Sequence, residues 1–417
     1  MKKFFGALLA ALIILSSLAA EASKFGDNYT LEKILILSRH NIRTPYIDKA
    51  KELTPHAWVK WTAPSRELTL RGGLVETELG QYFRKYLIDE NFMPENYQPA
   101  AGEFRFYANG RQRTIATAQY FSGGFLPVAN VRIEYKAPLE TRDPVFNTNL
   151  TFANENARAD FERQLGIYFG TNDLTDTGKK FSSSFAVMEN VLDLKNSPYA
   201  KKTGNKIFRV KDTKITFEKG KQAIVKGSIS AAINASDALL LQYYETGTAF
   251  GKKLSDKQWR EIGALNGLSA DIVAMPAVAL NTAYPLIVFM NDELTNTARK
   301  FTFLCGHDTN LASVMSALGV EDYSLPETPE SRAPIGSKFV IEKWRGRDGQ
   351  EYAAVSLVYP SAKQIRDIET LTPDNPPKIF PLRFKGLQAN SDGLYLFSDV
   401  TARFAAAIAD YDALKKD

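Results

Sequence analysis

Two short apolar runs, each followed closely by a histidine, constrain the fold of this chain more than any other feature. Residues 34–37, all isoleucine or leucine, precede His40, and residues 301–304, which include two phenylalanines, precede His307. Short apolar runs rich in branched or aromatic residues are typical of strands buried on both faces, so both predict inner strands of an α/β sheet. Ligand sites in such sheets form outside the carboxyl ends of the strands, where both histidines would lie.

The patterns along the rest of the chain favour a mixed central sheet flanked by helices. In order, they predict a helix over 72–89, a strand over 104–108, a helix from about 113 that ends at Gly123 and Gly124, strands over 337–344 and 351–359, and a helix from Ser398. Residues 151–283 have mostly helical patterns. We therefore expect them to be an inserted helical subdomain between two parts of a catalytic domain, residues 23–150 and 284–417.

The N-terminal residues predict export from the cytoplasm. Lys2 and Lys3 precede an apolar stretch, and the Ala-Glu-Ala sequence at 20–22 fits a cleavage site flanked by small residues. We expect residues 1–22 to be a signal peptide, with an uncleaved N-terminal anchor as the alternative. A second apolar stretch of about 20 residues, the length a spanning helix needs, does not follow. The sequence thus predicts a periplasmic protein whose mature form does not enter the membrane.

Charge and residue counts disfavour several classes of protein. The formal net charge is only +5 and basic residues are interspersed with acidic ones, which argues against nucleic acid as a partner. Cys305 is the only cysteine, so an internal disulfide is impossible, and we interpret it as a small buried hydrophobic residue. With only two histidines besides His40, a closed zinc site is not expected, and we predict neither a metal nor a cofactor. The sequence leaves open whether the protein is a monomer or a homodimer.

The residues around His40 indicate phosphate chemistry. Arg39 and Arg43 flank this histidine, and arginine has the shape and charge for bidentate phosphate binding. Neighbouring cations disfavour a protonated imidazole, which keeps one ring nitrogen available as a nucleophile. Pro45 stops regular structure, so the motif is a loop at the end of a strand. A phosphate held by these arginines would therefore lie against the histidine.

The sequence resembles the histidine acid phosphatases, which have a phosphoglycerate mutase-like fold. Their pattern Arg-His-Gly-x-Arg-x-Pro matches residues 39–45, and His307 and Asp308 supply the later His-Asp pair. The resemblance extends over nearly all of the chain after the signal peptide. Further similar stretches are 68–73, 107–109, 112–114, 242–245 and 334–336. The chain departs from the family in having Asn41 where glycine is usual. It also lacks the several disulfides of related periplasmic enzymes.

The resemblance implies a role for each matching residue. His40 would be the nucleophile and Asp308 would protonate the leaving oxygen, while the phosphate would be held by Arg39, Arg43, Arg113 and His307. These roles make chemical sense, because fixed cations stabilise the developing charge and an alkoxide needs a proton to leave. Arg111 is the other arginine that could reach the phosphate. The motif favours Arg113, which leaves Arg111 as a solvated neighbour.

Two further residues bear on the choice of phosphate ester. Tyr46 directly follows the loop of residues 39–45, here called the phosphate loop, and adds bulk beside it. By resemblance, Glu245 would approach the site from the helical insertion, although an exposed helix position is the alternative. A carboxylate there would accept hydrogen bonds from sugar hydroxyls and repel a second phosphate, which favours a small sugar monophosphate. A phytase would share every catalytic residue, and a non-catalytic phosphate-binding protein would not need Asp308.

Overall fold

The computed structural model describes residues 24–48 and 50–416, so the signal peptide expected over 1–22 lies outside the described residues. The strands are β1 (Tyr29–Arg39), β2 (Phe104–Ala108), β3 (Lys214–Thr216), β4 (Ile224–Lys226), β5 (Phe301–Gly306), β6 (Lys338–Gly346), β7 (Glu351–Tyr359), β8 (Lys378–Pro381) and β9 (Tyr395–Leu396). The helices are α1 (Leu70–Asp89), α2 (Gln112–Phe125), α3 (Glu155–Phe169), α4 (Ser182–Leu192), α5 (Pro198–Thr203), α6 (Ile229–Thr246), α7 (Asp256–Asn266), α8 (Leu268–Val273), α9 (Pro276–Thr295), α10 (Asp308–Ala317), α11 (Ala362–Asp367) and α12 (Phe397–Leu414).

A seven-stranded mixed sheet forms the centre of the fold. Its strand order is β2-β5-β1-β6-β7-β8, and β9 pairs with β7. Strand β5 runs parallel to β1 and to β2, whereas β6 pairs antiparallel with β1. The two apolar runs are therefore adjacent inner strands, and Arg39 pairs with Gly306 at their carboxyl ends. This register places His40 and His307 at the same edge of the sheet.

Both faces of β1 are buried, as its continuous apolar sequence predicts. Ile34 and Ile36 belong to a core that includes the buried residues of α1 and α2. Leu35 and Leu37 belong to the core on the other face, with α9, α10 and α12. Successive side chains of a strand point to opposite faces, so an alternating sequence could not have filled both cores. The predicted mixed sheet between helical layers is confirmed.

Helix α2 does not end at the two glycines, contrary to the sequence prediction. It continues to Phe125, one residue beyond Gly124, which lies where α1 and α2 touch. A Cβ at Gly124 would lie 2.3 Å from the carbonyl oxygen of Thr77, and one at Gly80 would lie 2.3 Å from that of Phe121. These glycines allow close helix packing, a requirement that a local helix-stop pattern cannot reveal.

Residues 151–283 contain α3 to α8 and a short hairpin of β3 and β4. Their buried side chains, such as Phe161 and Leu239, are continuous with the core beneath α1 and α2. Helix α9 runs through residues 283 and 284, where the sequence placed a domain boundary. None of the helices in the described part of the chain combines the length and the apolar character needed to cross a bilayer.

Candidate active site

A cleft of about 780 Å³ opens at the carboxyl ends of β1 and β5. It is lined by all the sequence-predicted catalytic and phosphate-binding residues, namely Arg39, His40, Arg43, Arg113, His307 and Asp308. Parallel strands bring these distant parts of the sequence to one edge of the sheet, as the strand predictions required. Within the described residues, no group of three or more His, Cys, Asp or Glu side chains is placed to hold a metal ion.

His40 is buried, and its backbone N–H donates to the carbonyl of Gly306, which fixes the loop to the end of β5. Its ring Nδ1 lies 2.8 Å from the carbonyl oxygen of Asn41. Because a carbonyl can only accept, Nδ1 must donate, and Nε2 of the neutral ring then carries the lone pair. Burial, followed by the charges of Arg113 and other nearby cations, lowers the pKa of His40 well below its usual value. The ring is thus uncharged at mildly acidic pH.

Arg39 is held from behind by a buried carboxylate. Its Nη1 donates to Glu330 and to the carbonyl of Ala333, and Tyr244 donates to the other oxygen of Glu330 at 2.8 Å. Burial alone would lower the pKa of Arg39, but Glu330 and Asp308 raise it above its usual value. Its Nε has no hydrogen-bond partner among the described residues. The guanidinium therefore remains charged and keeps donors for a ligand.

Arg43 also lines the cleft, in a bidentate pair with Asp237. Both nitrogen–oxygen distances are 3.0 Å, and Asp237 is on the cleft-facing side of α6. A planar guanidinium fork matches a carboxylate as well as it matches a phosphate. Asp237 was not singled out in the sequence, because nothing local marks one aspartate of a helix as the partner of a distant arginine.

Arg113 and His307 contact each other in the same cleft. Arg113 is in the first turn of α2, and its guanidinium lies 3.5 Å from Nδ1 of His307. Burial, together with Arg43 and Arg111, lowers the pKa of Arg113 to about 10. Its Nε, like that of Arg39, is without a hydrogen-bond partner in the described structure. An anion between these guanidiniums would relieve the repulsion that lowers this pKa.

His307 immediately precedes α10. Its backbone N–H donates to Oδ1 of Asn310 at 3.0 Å, and its Nε2 lies 2.7 Å from the amide of Asn109. Burial and the charges of Arg113 and Arg111 lower the pKa of His307 well below its usual value. Its ring packs edge-on against that of His40, with 5.4 Å between the ring centroids. Asn109 belongs to the stretch 107–109, which resembles the family. The sequence did not predict its contact with His307.

Asp308 opens α10 on the accessible side of the site. One carboxyl oxygen accepts from the backbone of Thr309 at 2.8 Å, and the other lies 3.6 Å from Nη2 of Arg39. The side chain is about one-third exposed, in contrast to buried His40. A ligand phosphate on the arginines would therefore meet His40 on one side and the Asp308 carboxyl near its outer oxygen.

The structure brings Tyr46 to the cleft but not Glu245. Tyr46 lines the wall with its ring 5.1 Å from the guanidinium of Arg66. Glu245 instead accepts from the hydroxyl of Thr69 at 3.2 Å and lies 3.9 Å from Arg71, and burial raises its pKa.

The helical phase explains this difference. Glu245 follows Asp237 by about two turns of α6, which moves it about 12 Å along the axis and rotates it about 80° away. Asp237 is thus the carboxylate that α6 presents to the cleft.

Two other charged residues of the cleft differ in their surroundings. Arg111 pairs with Glu140 and lines the cleft, so it is more than a solvated neighbour of Arg113. Asp143 accepts from the backbone of Val145 at 3.0 Å and from the hydroxyl of Tyr107 at 2.6 Å. These bonds are typical of a turn-forming aspartate.

Comparison with known proteins agrees with this geometry. Residues 30–359 match the histidine phosphatase superfamily (branch 2). A glucose-1-phosphatase of Salmonella typhimurium is 32% identical over 407 residues, covering 94% of this chain and 96% of the relative. One of Providencia rettgeri is 31% identical over 393 residues, covering 91% and 92%. The structure of the phytase from Citrobacter braakii has a TM-score of 0.81 and 26% identity, covering 91% of this chain and 98% of that chain. With this match over most of its length, the chain belongs to the histidine phosphatase superfamily, branch 2.

Proposed function

We propose that this protein hydrolyses phosphate monoesters through a phosphohistidine at His40, with a sugar phosphate such as glucose 1-phosphate as its substrate. The observation that carries the proposal is the buried, neutral ring of His40, whose Nε2 has a lone pair beside the charges of Arg39 and Arg113. Family membership and the two glucose-1-phosphatase relatives support the same activity.

In the first step, Nε2 of His40 attacks the phosphorus atom and the bond from phosphorus to the sugar oxygen breaks. The Asp308 carboxyl transfers its proton to that oxygen, so the sugar leaves as an alcohol and not as an alkoxide. The phosphoryl oxygens gain negative charge as the bond breaks. Arg39, Arg113 and His307, which line the same cleft as His40, would stabilise that charge.

In the second step, water attacks the phosphorus atom and the nitrogen–phosphorus bond breaks. The Asp308 carboxylate takes the proton of the water, which restores its protonated form, and Nε2 of His40 recovers its lone pair. Inorganic phosphate then leaves the arginines. Since these fixed cations supply the positive charge, the proposed mechanism requires no metal ion.

The outer part of the cleft favours a neutral, hydroxyl-rich leaving group. Two of its cations are already matched by carboxylates, in the pairs Arg43–Asp237 and Arg111–Glu140. In the described part of the chain, six arginines and five carboxylates line the cleft. Its walls also carry side-chain amides, which both donate to and accept from hydroxyls: Asn147, Asn149, Gln222 and Asn234. This lining suits a sugar better than several phosphates.

A phytase is the second candidate. The Citrobacter braakii phytase shares this fold at 26% identity. Arg66 and Arg142 also line the outer cleft, and they would suit additional phosphate groups of a larger substrate. The catalytic steps at His40 and Asp308 would be the same, so the two candidates differ only in the part of the substrate that leaves.

The location and the domain organisation are part of the proposal. We infer that residues 1–22 direct export and that the protein acts in the periplasm, where phosphate esters from outside the cell arrive. Residues 151–283 would be a helical insertion that contributes one wall of the cleft through Asp237 of α6. The remaining residues would form the catalytic α/β domain.

A panel of phosphate esters tests the proposal directly. Purified protein should be assayed with glucose 1-phosphate, other sugar phosphates and phytate, before and after exhaustive chelation. We expect the highest kcat/KM for a sugar phosphate and no loss of activity on chelation. A preference for phytate would favour the second candidate. Loss of activity that a divalent metal restores would contradict the metal-independent mechanism.

A further inference from the structure

A fully buried ion pair contacts Ser38 and Asn41, the residues that flank Arg39 and His40. Glu76 of α1 and Lys338 of β6 are completely inaccessible to solvent, and their charged atoms are 2.6 Å apart. Lys338 also donates to the hydroxyl of Ser38 at 3.2 Å and to the carbonyl of Gly336 at 3.1 Å. A buried pair of this kind is weak evidence for stability, because removing two ions from water costs about as much as their attraction returns. Its position next to the site suggests another role.

Asn41 connects this ion pair to the catalytic ring. Its side-chain amide donates to the second oxygen of Glu76 at 2.9 Å, and its Oδ1 accepts from the backbone N–H of Ile42 at 2.9 Å. Its own backbone N–H donates to the hydroxyl of Thr117 at 3.1 Å. Its carbonyl accepts from Nδ1 of His40 at 2.8 Å. Both polar groups of its side chain and both of its backbone are therefore engaged.

Close packing leaves this segment little freedom. Gly336 has φ +68°, and a Cβ there would lie 2.6 Å from the amide nitrogen of Asn41. On the other side, a Cβ at Gly72 would lie 2.5 Å from the carbonyl oxygen of Ile42. The amide of Asn41 thus fills the space beside Gly336 and the backbone of Ile42 fills the space beside Gly72, so the peptide that follows His40 is confined between α1 and the start of β6.

We propose that Asn41, Glu76, Thr117 and Lys338, here called the Asn41 clamp, act as positioning residues that hold the Asn41 carbonyl against Nδ1 of His40. The clamp fixes the ring in the tautomer with the proton on Nδ1, and so keeps the lone pair on Nε2 for attack on a phosphate ester. This inference rests on the proposed role of His40 as the nucleophile. It also gives a function to Asn41, the residue at which the phosphate loop departs from the usual glycine.

Nuclear magnetic resonance of isotope-labelled histidine tests the clamp without any assay of activity. The chain has only three histidines, so the ring nitrogens of His40 can be assigned with variants of the other two. In the wild type we expect a neutral ring protonated on Nδ1. A wild-type ring protonated on Nε2 would overturn the proposal. Because this measurement needs no substrate, it stands even if the protein proves not to hydrolyse phosphate esters.

Asn41→Ala removes the link between the ring and the ion pair. We expect a mixture of His40 tautomers and a kcat lowered about tenfold to a hundredfold, with a KM for the sugar phosphate within about twofold of wild type. Thr117→Val is a milder variant that removes only the acceptor for the Asn41 backbone, and it should shift the tautomer in the same direction. It keeps the proposal testable if Asn41→Ala does not fold.

The matched control is Asn281→Ala. Asn281 is an equally buried asparagine of α9 that also bonds to backbone and side-chain groups, but it does not line the cleft. Its loss should lower thermal stability and leave both the His40 tautomer and kcat unchanged. The clamp would be only structural if Asn41→Ala kept the wild-type tautomer, or if Asn281→Ala lowered kcat to the same extent.

Discussion

Two groups of charged residues in the same cleft differ in how their charges are balanced. The inner group, at the ends of β1 and β5, comprises Arg39, His40, Arg113 and His307, whereas the more exposed outer group comprises Arg43, Asp237, Arg111 and Glu140. In the outer group each guanidinium meets a carboxylate inside the cleft. In the inner group Arg113 meets a histidine, and the carboxylate that accepts a hydrogen bond from Arg39 is Glu330 behind it, while Asp308 on the cleft side lies 3.6 Å away. Unbalanced positive charge is therefore concentrated where a phosphate would lie, and the outer group offers a nearly neutral surface to the rest of the substrate.

Of the substitutions in the inner group, the removal of His40 should lower turnover the most. For His40→Ala we expect turnover to fall by about 10,000-fold or more, because the covalent intermediate cannot form. Wild-type protein quenched in denaturant during turnover should carry a base-stable, acid-labile phosphate label that the variant lacks. The variant should still bind inorganic phosphate, since its arginines remain. A label on a serine or an aspartate would contradict the mechanism.

Arg113 and Arg111 provide a matched pair of substitutions across the two groups. Arg113→Ala should lower kcat/KM by about 100-fold to 1,000-fold, as expected for the loss of a donor to the transition state. Arg111→Ala removes a partly exposed ion pair and should change kcat/KM by no more than about fivefold. The measurement is the steady-state kcat/KM of both variants on one sugar phosphate. Equal losses would mean that the distinction between inner and outer cations has no catalytic meaning.

Asp308 lies between the groups, and its effect should depend on the leaving group. Asp308→Asn cannot donate a proton, so hydrolysis of glucose 1-phosphate should slow by about 100-fold. Hydrolysis of p-nitrophenyl phosphate should slow by less than about tenfold, because nitrophenolate leaves without a proton. The comparison needs only the ratio of the two rates in each protein. The same loss on both esters would indicate that Asp308 merely orients the phosphate through its 3.6 Å contact with Arg39.

The inner group was largely predictable from sequence, because its histidines follow strands whose apolar runs are unmistakable. A parallel pair of inner strands brings both loops to one edge, whatever the length of chain between them. The supporting residues were not predictable in the same way. Glu330 reaches Arg39, and Glu76 reaches Asn41, through contacts between distant segments that no local periodicity marks.

Errors in the outer group and in the helices have equally physical causes. Glu245 was expected in the cleft, but the phase of α6 directs Asp237 there instead. Gly123 and Gly124 have the composition of a helix end, yet both lie inside α2, and it is Gly124 that the close packing of α1 requires. The short edge strands β8 and β9 went unpredicted, since two to four residues are too few to show a strand pattern.

Asp237 and Glu245 form a second matched pair, which sharpens the proposed specificity of the outer group. Two unit charges about 6 Å apart interact by roughly 3 kcal/mol at an effective dielectric constant of about 20, and a tenfold effect needs only about 1.4 kcal/mol. Asp237→Asn should therefore raise kcat/KM for phytate relative to glucose 1-phosphate by about tenfold. Glu245→Gln should leave the ratio unchanged, because Glu245 contacts Thr69 outside the cleft. If Glu245→Gln raised the ratio and Asp237→Asn did not, Glu245 would be the residue that determines specificity.

The smallest expected effect concerns stability, and it follows from the uncharged histidines of the inner group. His40 and His307 have pKa values well below 6.5 in the folded protein, so below that pH the unfolded chain binds protons that the folded chain excludes. The free energy of unfolding should thus decrease as the pH falls from 6.5 towards the lowered pKa values. At pH 6.0 each histidine should account for about 0.8 kcal/mol of this loss, relative to pH 7.5.

Urea denaturation of the wild type and of His40→Gln, at both pH values, isolates the contribution of one ring. Gln cannot titrate, so the variant should lose about 0.8 kcal/mol less than the wild type between pH 7.5 and pH 6.0, whatever its absolute stability. His307→Gln should have the same effect, because burial and then the charges of nearby arginines lower both pKa values. A variant that lost as much stability as the wild type would show that His40 is charged at pH 6.0. The inner group would then hold a protonated imidazole beside its arginines, and that ring could not be a nucleophile until it lost a proton.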